Sequence, residues 1–140
     1  MTARCFADTN LFLYAASKDP ADAQKKKIAR QLIASKDLGI SAQVLQEFIA
    51  AAATKGRLGI GDAEATLILT ELLAFAVLPI TAGLVMRAFE LKWRYQISYW
   101  DAAIVAAAQQ LGCEMIYSED LNDGQNYGGV IVRNPFAATV

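Results

Sequence analysis

Five carboxylates occupy positions from which an ordinary folded chain would exclude them. Asp8 follows the apolar run Cys5–Ala7, Glu47 lies beside Phe48 in a helical pattern, Asp101 opens the stretch Ala102–Ala108, and Asp120 and Asp123 follow Met115–Tyr117. Unpaired buried charges are costly enough that a chain keeps several only where a cation or partner compensates them. Two carboxylates about 4 Å apart repel by about 4 kcal/mol at an effective dielectric of about 20, so a cluster of them needs protons or a divalent ion.

The rest of the composition narrows the chemistry. There is no histidine, and the two cysteines are Cys5 and Cys113. Serine–histidine and cysteine–histidine nucleophiles and imidazole acid–base catalysis are thereby excluded, and two thiols without histidine make neither a zinc site nor a disulfide framework. Both cysteines are expected as buried, reduced thiols. Oxygen donors alone select Mg²⁺, with Mn²⁺ as a substitute. A hard ion held by a few carboxylates suits phosphodiester hydrolysis, because it polarises a phosphoryl oxygen, activates a water and neutralises the leaving group.

Each acid also has a plain structural reading. Asp8-Thr9-Asn10 consists of helix-capping residues, Ser98-x-x-Asp101 resembles a capping box, Glu47 could face solvent, and Glu119, Asp120 and Asp123 sit among turn formers. Isolated caps, however, have no reason to gather at one edge of one sheet. That is where the elements below place them.

Short β-forming runs alternate with longer helical patterns, which predicts an α/β fold with a mainly parallel sheet covered by helices. Strands are expected near 4–8, 37–41, 76–80, 114–118 and 130–133, and helices near 11–16, 21–35, 42–54, 62–74, 82–94 and 99–111. Ser41 and Asp62 are expected to cap helices, and Gly56 and Gly112 to end them. Gly124, Gly128 and Gly129 mark a loop before the last strand. In such a sheet, functional groups gather beyond the carboxyl ends of the strands. For Asp101 to reach that edge, the chain needs a long connection or a bend near Gln96 to Ser98.

At 140 residues the chain fits one domain, 1–140, and its 55% hydrophobic share excludes disorder. Asp8 and Asn10 interrupt the early apolar segment, so no signal peptide is expected, and no run is long enough to span a bilayer. The expected location is the cytoplasm. Net charge is −1, yet residues 1–60 carry nine Lys/Arg against five Asp/Glu and residues 61–140 four against nine. Lys25, Lys26, Lys27 and Arg30 could touch phosphates or simply form a solvated helix face. Leu67, Leu69, Leu72 and Leu73 read chiefly as core, with a protein contact as the alternative.

Phe6-Ala7-Asp8-Thr9-Asn10, the helical Glu47, Trp100-Asp101-Ala102 and Ser118-Glu119-Asp120-Leu121-Asn122-Asp123 resemble, in order and spacing, the four acidic motifs of PIN-domain nucleases. The resemblance spans essentially the whole chain. It implies a single three-layer α/β/α domain with about five strands, acting as a Mg²⁺-dependent endoribonuclease. Small stand-alone members resemble VapC-type toxins, which implies an RNA substrate, a cognate antitoxin and a homodimer. Carried over by residue, Asp8 and Asp101 would be metal ligands, Glu47 a ligand or water-positioning group, and Asp120 the fourth acid, with Asp123 as its alternative. Asn10 and Ser118 would orient the acids, and Lys25 to Lys27, Lys55 or Arg57 could guide the RNA backbone.

Two other functions compete. A non-catalytic RNA- or protein-binding scaffold would not need every acidic position that this chain keeps. A haloacid-dehalogenase-like phosphotransferase would use Asp8 as a nucleophile, but the acid it needs two residues on is replaced by Asn10.

Overall fold

The computed structural model describes residues 1–54 and 58–137. The chain runs β1 (Cys5–Ala7), α1 (Thr9–Ala16), a single 3-10 turn at Pro20–Asp22, α2 (Ala23–Ser35), β2 (Leu38–Ser41), α3 (Ala42–Ala53) and α4 (Asp62–Leu72). It continues through β3 (Ala76–Leu78), α5 (Ala82–Tyr95), α6 (Tyr99–Gln110), β4 (Met115–Tyr117), β5 (Asn126–Tyr127) and β6 (Val130–Arg133).

These strands form one sheet in the order β3-β2-β1-β4-β6-β5, parallel throughout except for the β5–β6 pair. The expected α/β fold with a mainly parallel sheet is therefore present, with six strands where about five were expected. β5 is only two residues long, too short for an alternating pattern to show in the sequence. It is joined to β6 by Gly128 and Gly129, whose φ angles of 62° and 102° make the tight reversal.

The interior is built from the parallel strands outward. Phe6, Ile40, Ile116 and Val132, one from each of β1, β2, β4 and β6, are all fully buried. α6 is apolar on every side: each residue of Ala102–Ala108 is buried, and the helix packs against β2, β4, β6 and α5. Its small side chains bring its backbone close to the sheet. α1 packs on α2 and α3, and α3 on α4, as a second group of helices. Cys5 and Cys113 are buried free thiols, and burial, with the nearby Cys5 and Asp37 adding, pushes Cys113 up to about 12.

Local signals worked unevenly. The Ser98 hydroxyl accepts from the Asp101 N–H at 3.1 Å and so caps α6, and Gly112 adopts φ 76° just past that helix. Ser41 stands at the cap position of α3 but makes no capping bond, and Gly61 rather than Asp62 caps α4, Asp62 being its first helical residue. Gly56 lies outside the described residues. Of Leu67, Leu69, Leu72 and Leu73, only Leu72 is core; Leu69 is half-buried, and Leu67 and Leu73, the latter just past the end of α4, are exposed.

The bend needed before α6 is at Gln96, which takes the left-handed conformation (φ 54°, ψ 48°) and donates its side-chain amide to the Trp93 carbonyl at 2.7 Å. At the far end of α6, the Leu111 carbonyl accepts from the Ala3 N–H at 3.2 Å, which fixes that end at the amino edge of the sheet. Twelve helical residues rise about 18 Å. The first turn, with Asp101, is thereby carried to the carboxyl edge.

Gly39 in β2 lets this packing close. A Cβ there would stand 2.8 Å from Ala3 Cβ and 2.9 Å from Leu111 Cδ1. Gly39→Ala is expected to destabilise the protein by about 1–3 kcal/mol through overpacking, measured by urea unfolding.

Candidate functional site

The chain leaves the central strand β1, builds β2 and β3 to one side, and returns to build β4 and β6 on the other. The order of strands therefore reverses between β1 and β4, and the crevice beyond their carboxyl ends is where an open α/β sheet binds ligands. Asp8 ends β1 there, and Ser118, Glu119 and Asp120 follow β4. The Asp8 N–H extends the ladder by donating to the Tyr117 carbonyl at 3.0 Å.

Asp8 is only 5% exposed. Its Oδ1 accepts the Thr9 N–H at 2.7 Å, capping α1, and its Oδ2 accepts the Ser118 hydroxyl at 2.8 Å. Burial pushes the carboxyl up to about 7; the Ser118 and Thr9 hydrogen bonds oppose this, and the charges of Asp120 and Glu47 add to it. Ser118 Oγ also accepts the Asp120 N–H at 3.1 Å, so one buried hydroxyl ties the two acids together. The Asn10 amide donates to Asp120 Oδ2 at 3.2 Å. Asp120 is likewise raised, first by burial and then by Asp101 and Glu119.

Glu47 reaches the same region from α3. It is exposed, but its Oε1 accepts the Thr9 hydroxyl at 3.0 Å and the Gln43 amide at 3.3 Å. Gln43 also donates to the Trp100 carbonyl at 3.2 Å, linking α3 to the first turn of α6. Asp101 is half-buried, and its carboxylate accepts no hydrogen bond among the described residues. Asp8, Glu47, Asp101 and Asp120 are therefore joined by hydrogen bonds and mutual charge. Asp123 stands apart, with its Oδ1 accepting the Asn134 N–H at 2.9 Å and fixing a turn.

Among the described residues, no three acidic or thiol side chains are close enough to enclose an ion as they stand. The donor chemistry nonetheless fits a hard dication: the oxygens are all carboxylate, they repel one another, one is buried and raised, and one lacks a partner. Asp8 and Asp101 could hold such an ion, with Asp120 and Glu47 beside them.

Sequence reasoning did not find three contributors. Gln43 lies one helical turn before Glu47, a spacing that could have signalled the contact, whereas the reach of Thr9 to Glu47 and the clamp on Glu119 depend on the fold. In that clamp the Tyr14 hydroxyl donates to Glu119 Oε1 at 2.6 Å, and Lys25 donates to Tyr14 Oη at 3.1 Å and to Glu119 Oε2 at 3.3 Å. The loop bearing Asp120 is thus held against α1 and α2. Lys25, considered for phosphate contact, is engaged inward. Lys26 and Arg30 donate to the carbonyls of Ser17 and Ala15, at 2.8 and 3.1 Å. Lys27 is exposed, and Lys55 and Arg57 lie outside the described residues.

The family model described as the PIN domain matches residues 5–122. Three solved structures share the fold. VapC20 of Mycobacterium tuberculosis, described as a toxin that cleaves the sarcin–ricin loop, is 23% identical with a TM-score of 0.66, over 81% of this chain and 88% of that one. A toxin–antitoxin complex from Klebsiella pneumoniae is 20% identical with a TM-score of 0.69, over 94% and 97%. The DNA-bound VapBC of Salmonella typhimurium is 14% identical with a TM-score of 0.65, over 95% and 98%. No curated protein matches the sequence significantly.

The raised Asp8 carboxyl has a consequence for stability. In the unfolded chain it ionises near pH 4, in the fold near 7, so the folded state binds the extra proton between those values. The stability it contributes is present below about pH 4 and is lost as pH rises through about 7. Without divalent ions at pH 8, Asp8→Asn is expected to be more stable than the unsubstituted protein by about 1–3 kcal/mol, the gap closing towards pH 4. Chemical denaturation across pH in chelator checks this.

Proposed function

This chain belongs to the PIN-domain family, and on that premise we propose that it is a Mg²⁺-dependent endoribonuclease, the toxin of a toxin–antitoxin pair. The observation that carries the reading is the buried Asp8 carboxyl, pushed up to about 7 and sharing its crevice with Asp120 and Glu47. A chain with no cation to hold gains nothing from that arrangement.

In this reading Asp8 and Asp101 would hold the metal, with Asp8 in its ionised form. Glu47, steadied by Thr9 and Gln43, ligates or positions water. Asp120 is the fourth acid, aimed by Asn10, by Ser118 and by the clamp on Glu119. Mg²⁺, or Mn²⁺ in its place, supplies Lewis-acid polarisation of a phosphoryl oxygen and an activated water.

The proposed RNA substrate is supported by the likeness to VapC20, which is described as cleaving the sarcin–ricin loop. An antitoxin partner is supported by the structures of toxin–antitoxin complexes that share this fold. A groove of about 480 Å³ between α1, α2 and α4, apolar at Phe12, Ile33, Ile68 and Phe75 and lined by charges of both signs at Lys18, Lys26, Glu64 and Glu71, suits an apolar segment of such a partner. A homodimer is supported by the stripe Met86, Phe89 and Trp93, which leaves three large apolar side chains exposed along α5. Residues 1–140 act as one PIN domain, and the proposed location is the cytoplasm; no helix among the described residues is long and apolar enough to cross a membrane.

The purified protein is expected to cleave RNA with Mg²⁺, and to lose at least about 100-fold in rate as Asp8→Asn or Asp101→Asn. Chelator should abolish cleavage. Activity that survives chelation or both substitutions overturns the assignment.

A further inference from the structure

Beside the acids lies a second cavity, of about 220 Å³, whose lining includes Ser41, Gln43, Gln46, Ile80, Tyr99 and Trp100. Its walls come from the end of β2, the first turns of α3 and α6, and Ile80, Leu84 and Val85 at the start of α5, so it is mainly apolar, and Asp101 follows Trp100 in sequence. Two features distinguish it from a packing defect. Ser41 is 1% exposed, and its hydroxyl has no hydrogen-bond partner among the described residues, although it stands where it could have capped α3. A buried hydroxyl left unmatched costs about 1–3 kcal/mol, a cost that a ligand able to bond it would remove.

The second feature is Trp100. Its side chain is 66% exposed, edge-on to Tyr99 with ring centroids 5.1 Å apart, and is adjacent in sequence to Asp101. Its backbone is not loose, because the Trp100 carbonyl is held by the Gln43 amide that also holds Glu47. One glutamine thus fixes the aromatic platform relative to the acid site. With its amide N–H groups directed to Glu47 and Trp100, Gln43 leaves its own carbonyl oxygen to accept, while exposed Gln46 offers donor and acceptor together.

A flat aromatic face, a cavity large enough for one ring system and a few amide and hydroxyl groups are what a nucleobase requires. We propose that this cavity holds a base of the RNA strand next to the scissile phosphate, with Trp100 stacking on it and Ser41, Gln43 and Gln46 reading its edge. The proposal rests on the nuclease reading but extends it: Trp100 is a substrate-positioning residue, and sequence preference originates at this cavity. An apolar contact with a second copy would have no use for the buried Ser41 hydroxyl or for the two glutamines.

The test separates binding from cleavage. The chain has two tryptophans, so Trp93→Phe leaves Trp100 as the only indole. In chelator, where no cleavage is expected, oligo(A), oligo(C), oligo(G) and oligo(U) are titrated into this protein and its fluorescence is followed. Stacking predicts quenching by at least one of them. Trp100→Ala should weaken binding of that oligomer about 10-fold or more, and Trp100→Phe should restore most of it. Ser41→Ala breaks no bond in the fold; it should raise thermal stability, because the unmatched hydroxyl is removed, and lower the preference among bases about 3-fold or more.

Quenching by RNA in a protein that fails to cleave would sustain this inference while removing the nuclease reading. The inference is overturned by cleavage with an unaltered KM in Trp100→Ala and no quenching by any oligomer. It is overturned equally if Trp100 emission is already blue-shifted in a dimer that Trp100→Ala converts to monomer, because a second copy then covers the cavity.

Discussion

The structure depends on keeping a carboxylate where the fold is least able to solvate it. Asp8 follows the central strand at the point where strand order reverses, and its neighbours Ala7 and Thr9 are both buried. Its two oxygens receive one backbone N–H and one hydroxyl, too little to offset burial beside Asp120 and Glu47. The rest of the site can be understood as managing that charge: Ser118 bridges Asp8 to Asp120, Thr9 donates its N–H to Asp8 and its hydroxyl to Glu47, and Asn10 steadies Asp120.

The fold positions these groups by ordinary means. Parallel strands place Asp8 and the Asp120 loop at the same edge, while α6, anchored by Leu111 at the opposite edge, is long enough to bring Asp101 there. The clamp of Tyr14, Lys25 and Glu119 holds the last acidic loop from behind. Gln43 connects Glu47 to the first turn of α6, so that two acids on different helices share one brace.

Much of this was legible in the sequence, for definite reasons. β1 and β4 are continuous apolar runs because both faces of a parallel sheet are covered, β6 alternates buried and exposed residues, and the helices between the strands carry clear periodicity. Asp8 and Asp101 stood out because each interrupts such a pattern. What escaped was non-local or too short. β5 has two residues and no alternation. Lys25 looked like a solvent cation until α2 was placed against the Glu119 loop. Ser41 looked like a cap, yet the expected bond is not made, and Leu67 and Leu73 looked like core because helical periodicity does not reveal which faces find a neighbour. Asp123 could be separated from Asp120 only once its bond to Asn134 was seen.

The central claim is that these carboxylates bind a divalent cation at Asp8's expense of a proton. Calorimetric titration of Mn²⁺ near pH 6.5, in buffers of different ionisation enthalpy, measures ion binding and proton release together. Saturable binding with proton release, both lost in Asp8→Asn, is the predicted result. Absence of binding, or binding with no proton released and undiminished by that substitution, would contradict the account.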